Sequence, residues 1–352
     1  MRTQNHECHF WVSNNPQQFC KGGNMRIQPQ KIMCTMDFSD YSSTILSYSV
    51  ALCKEFGAKL FLCHVVMNVP LILGNNETSL DPVKLQKEHT QSARELLEKM
   101  AADLPISPEI LIGKGDAADE ISRIARKKEI ELVVTATQGQ SAVARLLIGS
   151  VTEKLMKTIH CPLMVLHTQK HEFIPAPDHG IKMDKILVGC DFSPDSRLAF
   201  DYGISLAQEF QATLYLAHVI KPSENLGLKQ ESHLDITPGD YYRLTSSRHF
   251  LEISPEKQEE KLKMIKDIRN RLTDQLHRMV PEESRHWCTP ETVLLDGESY
   301  RELIHYARDE KMDLIVLGIR GHTLLEKLTV GSTPHRVIRQ APCPVLVVRQ
   351  TG

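Results

Sequence analysis

Three glycines near the C-terminus have the types and spacing of a phosphate-binding loop. The apolar run Leu314-Ile315-Val316-Leu317 breaks into Gly318-Ile319-Arg320-Gly321, and nine residues separate Gly321 from Gly331, which precedes Ser332, Thr333 and Pro334. A strand that stops in a glycine-rich turn and re-enters at a helix start aims backbone N–H groups at an anion. Gly318 and Gly321 carry no Cβ, so the chain can approach phosphate closely. The N–H groups of Gly331, Ser332 and Thr333, with the positive end of the helix, favour the same charge. The hydroxyls of Ser332 and Thr333 can bond terminal phosphate oxygens. Pro334 suits a first helical turn, where its missing N–H is not needed. Asp191, at the end of an earlier apolar run, can accept hydrogen bonds from a ribose or a base.

The pattern occurs twice. The earlier copy reads Leu132-Val133-Val134-Thr135-Ala136-Thr137-Gln138-Gly139, then Gly149-Ser150 at the same nine-residue gap. Ala136 stands where the first glycine would be. A Cβ there costs little at negative φ and roughly 1 kcal/mol or more in a left-handed turn. The expectation is two nucleotide-type sites. The second is intact. The first, with Asp37, Val65, Gly139, Gly149 and Ser150, is altered.

The duplication extends beyond the loops. Lys31–Ser39 matches Lys185–Ser193, Cys63-His64-Val65 matches Ala217-His218-Val219, and Cys161–Leu166 matches Cys343–Val348. The offset is 154 at Asp37/Asp191 and 182 from Gly115/Gly297 onward, so 28 residues are inserted between Val219 and Gly297. Two self-similar halves of ordinary domain size read as two domains rather than a solenoid.

The elements that must position these residues alternate. Ile32–Met36, Leu60–Val66, Glu109–Gly113, Leu132–Ala136 and Leu163–His167 read as buried strands, as do Ile186–Cys190, Thr213–Ile220, Glu291–Leu295, Leu314–Gly318 and Val345–Arg349. Continuous Val/Ile/Leu runs suit parallel strands covered on both faces. Ser42–Phe56, Ala117–Lys128, Ser196–Phe210 and Tyr300–Lys311 read as amphipathic helices between them. This alternation implies right-handed βαβ units and a doubly wound sheet, with ligands at the carboxyl ends of the strands. Asp37, Asp191, Val65, Val219 and both glycine loops fall at those ends. The last strand of each half is apolar and unblunted, so the two are expected to pair antiparallel as a pseudo-two-fold dimer within the chain. In the insertion, 221–250 reads as a polar loop. Pro255–Met279 reads as a longer second helix on the sheet, or as an arm for a protein partner.

Composition narrows the classes. With 42 Lys and Arg against 44 Asp and Glu, and no basic stripe, a nucleic-acid partner is not expected. No apolar segment approaches the roughly 18 residues of a membrane span. Nine cysteines without a CxxC pair read as reduced core thiols in a cytoplasmic protein. Residues 1–28 are polar, without the apolar core of a secretory signal, and read as a disordered or mis-started lead. The His6, Cys8, His9 and Cys20 set there lacks the paired spacing of a metal site. His64 and His218, at matched strand positions, read as satisfied strand-end histidines.

These residues resemble the universal stress protein family, over roughly residues 29–168 and 183–349. Gly318, Gly321, Gly331 and Ser332 meet the family's Gly-x2-Gly-x9-Gly-Ser/Thr signature in full. Asp37 and Asp191 match its strand-one aspartate, and Cys343-Pro344-Val345-Leu346-Val347-Val348 its closing strand. The resemblance is to the tandem form, with a linker at 169–182 and an insertion at about 221–287. It implies two flavodoxin-like or Rossmann-like, doubly wound domains of five parallel strands each. It also implies ATP, usually with Mg²⁺, held by Gly189, Asp191, Val219, Gly318, Gly321, Gly331, Ser332 and Thr333, and a role in stress response. The loop has no Gly-Lys-Ser/Thr, and Arg320 within it reads equally as a solvated charge, so an ATP- or ADP-binding regulatory or sensor module is the leading expectation. One alternative is a slow ATPase or nucleotidyl transferase using Asp191 and Arg320. Another is a scaffold for a lipid or a protein partner.

Overall fold

The computed structural model describes residues 27–69, 81–137, 148–167, 181–220, 255–286, 290–321 and 331–350. Gly139, the expected loop at 221–250, the stretch between Gly321 and Gly331, and most of the N-terminal lead and the linker lie outside the described residues.

The first half runs β1 (Lys31–Thr35), α1 (Ser42–Phe56), β2 (Lys59–Val66), α2 (Pro82–Ala102), β3 (Glu109–Lys114), α3 (Ala117–Lys128), β4 (Leu132–Ala136), α4 (Ser150–Thr158) and β5 (Leu163–Leu166). The second runs β6 (Lys185–Gly189), α5 (Pro194–Phe210), β7 (Thr213–Ile220), α6 (Pro255–Met279), β8 (Pro290–Asp296), α7 (Ser299–Asp309), β9 (Leu314–Gly318), α8 (Ser332–Gln340) and β10 (Val345–Val348). A short 3-10 turn, Glu282–His286, lies between α6 and β8. Local chemistry explains the boundaries. In α3, Asp116 caps the helix by accepting from Asp119 N–H at 3.1 Å, while Arg126, Lys127 and Lys128 meet its negative end. Helix α5 opens two residues before the expected Ser196, because Ser193 accepts from Ser196 N–H and Pro194 takes the first helical position.

All ten strands form one sheet in the order β3-β2-β1-β4-β5-β10-β9-β6-β7-β8. Within each half the neighbours are parallel. Strands β5 and β10 pair antiparallel, with Met164 opposite Leu346. The expected internal pairing is therefore present. Met164 and Leu346 are also repeat equivalents, 182 apart, so this pair lies on the pseudo-two-fold axis.

Each face of the sheet carries one core that crosses the seam. Helices α1, α2, α5 and α6 cover one face, where Met164, Leu166, Leu346 and Val348 are buried. Helices α3, α4, α7 and α8 cover the other, with Leu163, Val165, Val345 and Val347. The described part of the insertion packs on the sheet: Leu276 and Met279 of α6 enter the first core, and Ile268 packs with Ile220 at the end of β7. Helix α6 is thus a sheet-covering second helix over these residues. The lead is not wholly detached: Ile27 N–H donates to Ser205 Oγ of α5 at 2.5 Å, and Gln28 Nε2 to Glu209 at 3.1 Å.

Candidate functional site

Each half has a switch point, the place in the sheet where the strand order reverses. In the second half β6 lies between β7 and β9, so Asp191, Val219 and Gly318 come to the same edge. In the first half β1 between β2 and β4 does the same for Asp37, Val65 and Ala136.

The glycine loops close by a shared bond. Gly331 N–H donates to Ile319 O at 2.9 Å, and at the matched positions Gly149 N–H donates to Thr137 O at 2.7 Å. This seats the N-terminus of α8 at the end of β9, and that of α4 at the end of β4. It also corrects one expectation: the N–H of Gly331 is committed to protein and does not remain for an anion. No described residue accepts from the N–H groups of Ser332 and Thr333, and Gly331 caps the helix without a side-chain bond. Ser332 and Ser150 are exposed at the two helix starts.

Two further glycines serve packing. A Cβ on Gly318 would stand 2.5 Å from the carbonyl carbon of Asp195 and 2.7 Å from Ser196 N. The first turn of α5 therefore occupies the space beside Gly318. A Cβ on Gly189 would meet Leu317 at 2.5 Å and Leu303 at 3.3 Å. Neither Gly318 nor Ala136 has a positive φ, so the exchange between them carries no backbone strain. In the first half, which carries Ala136, α1 starts two matched positions later than α5. Its N-cap is Tyr41, the repeat equivalent of Asp195.

The two aspartates sit in matched turns. Asp191 Oδ1 accepts from Ser193 N–H at 3.0 Å, and its side chain is exposed. Asp37 Oδ1 accepts from Ser39 N–H at 3.0 Å, from Ser39 Oγ at 2.7 Å and from Ser42 Oγ at 3.2 Å. The first-half carboxylate is thus half-buried and engaged by hydroxyls, while that of the second half faces outward.

A feature missed in the sequence holds both turns. Phe38 and Phe192, each following its aspartate, have φ of 59° and 62°. A bulky residue in that region costs about 1–2 kcal/mol and persists only where its surroundings impose it. The imposing partners are His64 and His218. Their rings lie 4.5 and 4.9 Å from the phenylalanine centroids, and each Nδ1 bonds the carbonyl at the end of the first strand, Met36 O or Cys190 O, at 2.7 Å. A carbonyl only accepts, so Nδ1 carries the proton in both. Burial holds His64 below its ordinary pKa, against the opposing pull of that bond and of Asp37. Both histidines are strand-end structural groups, as expected. The repeated Asp-Phe-Ser and the paired histidines at offset 154 were the available signal.

Arg320 does not reach outward as the transferase alternative requires. Its Nε donates to Asp195 Oδ2 at 3.1 Å, and that carboxylate is only 3% exposed. Among the described residues no group of three or more His, Cys, Asp or Glu side chains is placed to hold a metal ion. No described helix is long and apolar enough to cross a membrane. Burial pushes the thiols of Cys34, Cys53, Cys63, Cys161 and Cys190 up to about 12, away from the thiolate form that reacts.

Fold and site together define a tandem, doubly wound α/β protein with a glycine loop at each switch point. The chain belongs to the universal stress protein family, whose pattern matches residues 29–167 and 182–349. It is similar to universal stress protein MJ0531 of Methanocaldococcus jannaschii, 33% identical over 144 residues, which are 41% of this chain and 85% of that one. It is also similar to universal stress protein YxiE of Bacillus subtilis, 30% identical over 167 residues, 47% of this chain and 99% of that one. A solved universal stress protein from Archaeoglobus fulgidus shares the fold, with a TM-score of 0.57 at 19% identity, covering 91% of this chain and 96% of that one.

Proposed function

We propose that this chain is a cytoplasmic, ATP-binding regulatory protein of stress response, with its working nucleotide site in the second half. The observation that carries the reading is a convergence at the β6/β9 switch point. The exposed Asp191, after β6, lies at the same sheet edge as the end of β9, where α8 starts, and the Ser332 and Thr333 N–H groups of α8 have no acceptor among the described residues. The full signature Gly318, Gly321, Gly331, Ser332 lies in that half. Phosphate would take the two N–H groups and the hydroxyls of Ser332 and Thr333. Asp191 would accept from the ribose or base, beside Val219 and Gly189. In the first half Asp37 is already engaged, so Val65, Gly149 and Ser150 form a weaker version of the same edge, with Gly139 beyond the described residues. Magnesium would arrive with the nucleotide, since phosphate oxygens and water supply most of its six ligands in such sites. With Arg320 tied to Asp195, the loop offers stabilisation of bound phosphate and little for transferring it.

Calorimetric titration of the full chain with ATP, with and without magnesium, tests this. Gly331→Val should abolish the tighter binding, because a Cβ there already lies 3.2 Å from Ile319 O and a branched side chain would cover the helix start. Gly149→Val should leave it. Loss in Gly149→Val alone, or no uptake by the wild-type chain, would refute the reading.

A further inference from the structure

Beside the second-half loop lies a buried carboxylate to which nucleotide binding itself gives no task. Asp195 is the second residue of α5. Its Oδ2 accepts from Arg320 N–H at 3.0 Å and from Arg320 Nε at 3.1 Å. Its Oδ1 accepts from Gln350 N–H at 3.0 Å and, more weakly, from the Arg320 guanidinium at 3.4 Å. Arg320 also donates to Gln350 O, while Ser193 Oγ, which caps α5, donates to Arg320 O at 3.2 Å. Three segments therefore meet at one side chain: the start of α5, the turn after β9, and the chain leaving β10. A buried charge with one partner removed is left uncompensated, so such a contact holds its partners in place.

The first half has no counterpart. The positions matching Asp195, Arg320 and Gln350 are Tyr41, Gln138 and Thr168, and none can supply a carboxylate or a guanidinium. There α1 opens only at Ser42, and Asp37 gathers the hydroxyls of Ser39 and Ser42. The clamp also accounts for Gly318. The first turn of α5 against β9 leaves no room for a Cβ at Gly318, whereas the first half carries Ala136 there and its α1 starts only at Ser42.

We infer that Asp195 is a positioning residue for the second-half phosphate loop, and that this clamp, more than the exchange of Gly318 for Ala136, makes the two halves unequal. The inference rests on the nucleotide reading for its ligand, but its geometric part stands by itself.

The test uses the full chain carrying Asp195→Asn, with two readouts. Without ligand, hydrogen exchange at the Arg320 amide should quicken about tenfold or more, the scale of a lost charge-assisted hydrogen bond, while Leu314–Leu317 of β9 stay protected. In titrations, ATP affinity should fall about tenfold or more and adenosine affinity should stay the same, because the clamp sets the phosphate loop and not the base site. Arg320→Gln keeps the backbone bond to Asp195 and should show the same selectivity to a smaller degree. It serves where Asp195→Asn does not fold. Unchanged exchange at the Arg320 amide would overturn the clamp. Equal loss of ATP and adenosine would reduce Asp195 to general stability and overturn it too. A wild-type chain that takes up neither ligand refutes the nucleotide reading, and the exchange readout then decides the clamp alone.

Discussion

At the residue scale, repeated positions that look alike in sequence carry different mechanical duties. Gly318 and Ala136 both end a β-strand beside a glycine loop, and neither needs a left-handed backbone. What differs is the neighbour. At Gly318 the missing Cβ is replaced by the backbone of Asp195 and Ser196, which cannot yield as a flexible side chain would. Gly318→Ala is therefore expected to cost about 2–3 kcal/mol by overpacking and to disturb the start of α5. Ala136→Gly loses one small buried methyl and some backbone restraint, about 1 kcal/mol. Urea denaturation of the two variants checks the contrast. Equal costs would mean that α5 does not press on β9 as described. The sequence shows the glycine pattern but not this duty, because the contact joins residues more than a hundred positions apart.

At the element scale, most of the fold was legible. Strands β4, β7 and β9 and helices α1, α3 and α6 have the limits expected from apolar runs and caps, because those signals are local. Less legible were features that depend on a second element. The left-handed Phe38 and Phe192 are imposed by histidines from the neighbouring strand, and the committed N–H of Gly331 depends on a carbonyl across its own loop. Helix α5 offers a pH test of burial. Asp201, one turn after Arg197, has its carboxyl pushed up to about 6 by burial, with Arg197 opposing. A raised acid stabilises the fold fully below its unfolded pKa, near 3.9, and loses that contribution as pH rises through about 6. Two units correspond to on the order of 2–3 kcal/mol. Asp201→Asn should therefore be more stable than the wild-type chain by about that amount at pH 7.5, with the gap closing towards pH 4. Denaturant midpoints at both pH values measure it. A gap that is constant with pH would show that Asp201 is solvated.

At the scale of the whole molecule, the seam between the halves acts as a core rather than as a contact between beads. Met164 faces Leu346 on the pseudo-two-fold axis, and on the α1/α5 face the matched pair Phe56 and Phe210 meet edge-on at 6.0 Å. Both cores run across the seam, and Arg349 at the end of β10 donates to Met156 O of α4 in the other half at 2.5 Å. Neither β5 nor β10 carries a Lys or a Pro, the residues that blunt an open edge. A half cut away from its partner would expose that edge and the apolar surface flanking it. Residues 29–168 and 183–349 expressed apart are therefore expected to associate, each with its own copy or with the other, in place of staying monomeric. Within the intact chain the continuous cores should give one cooperative unfolding transition. Met164→Asp places a charge opposite Leu346 in the buried seam, so it should cost at least about 3 kcal/mol. Because the loss falls on the seam and not inside either half, the single transition should divide into two. Differential scanning calorimetry of the wild-type and variant chains, with sedimentation of the separate halves, makes the comparison. Monomeric halves that unfold as they do in the intact chain would mean that the seam only tethers them, and that each half builds its own core.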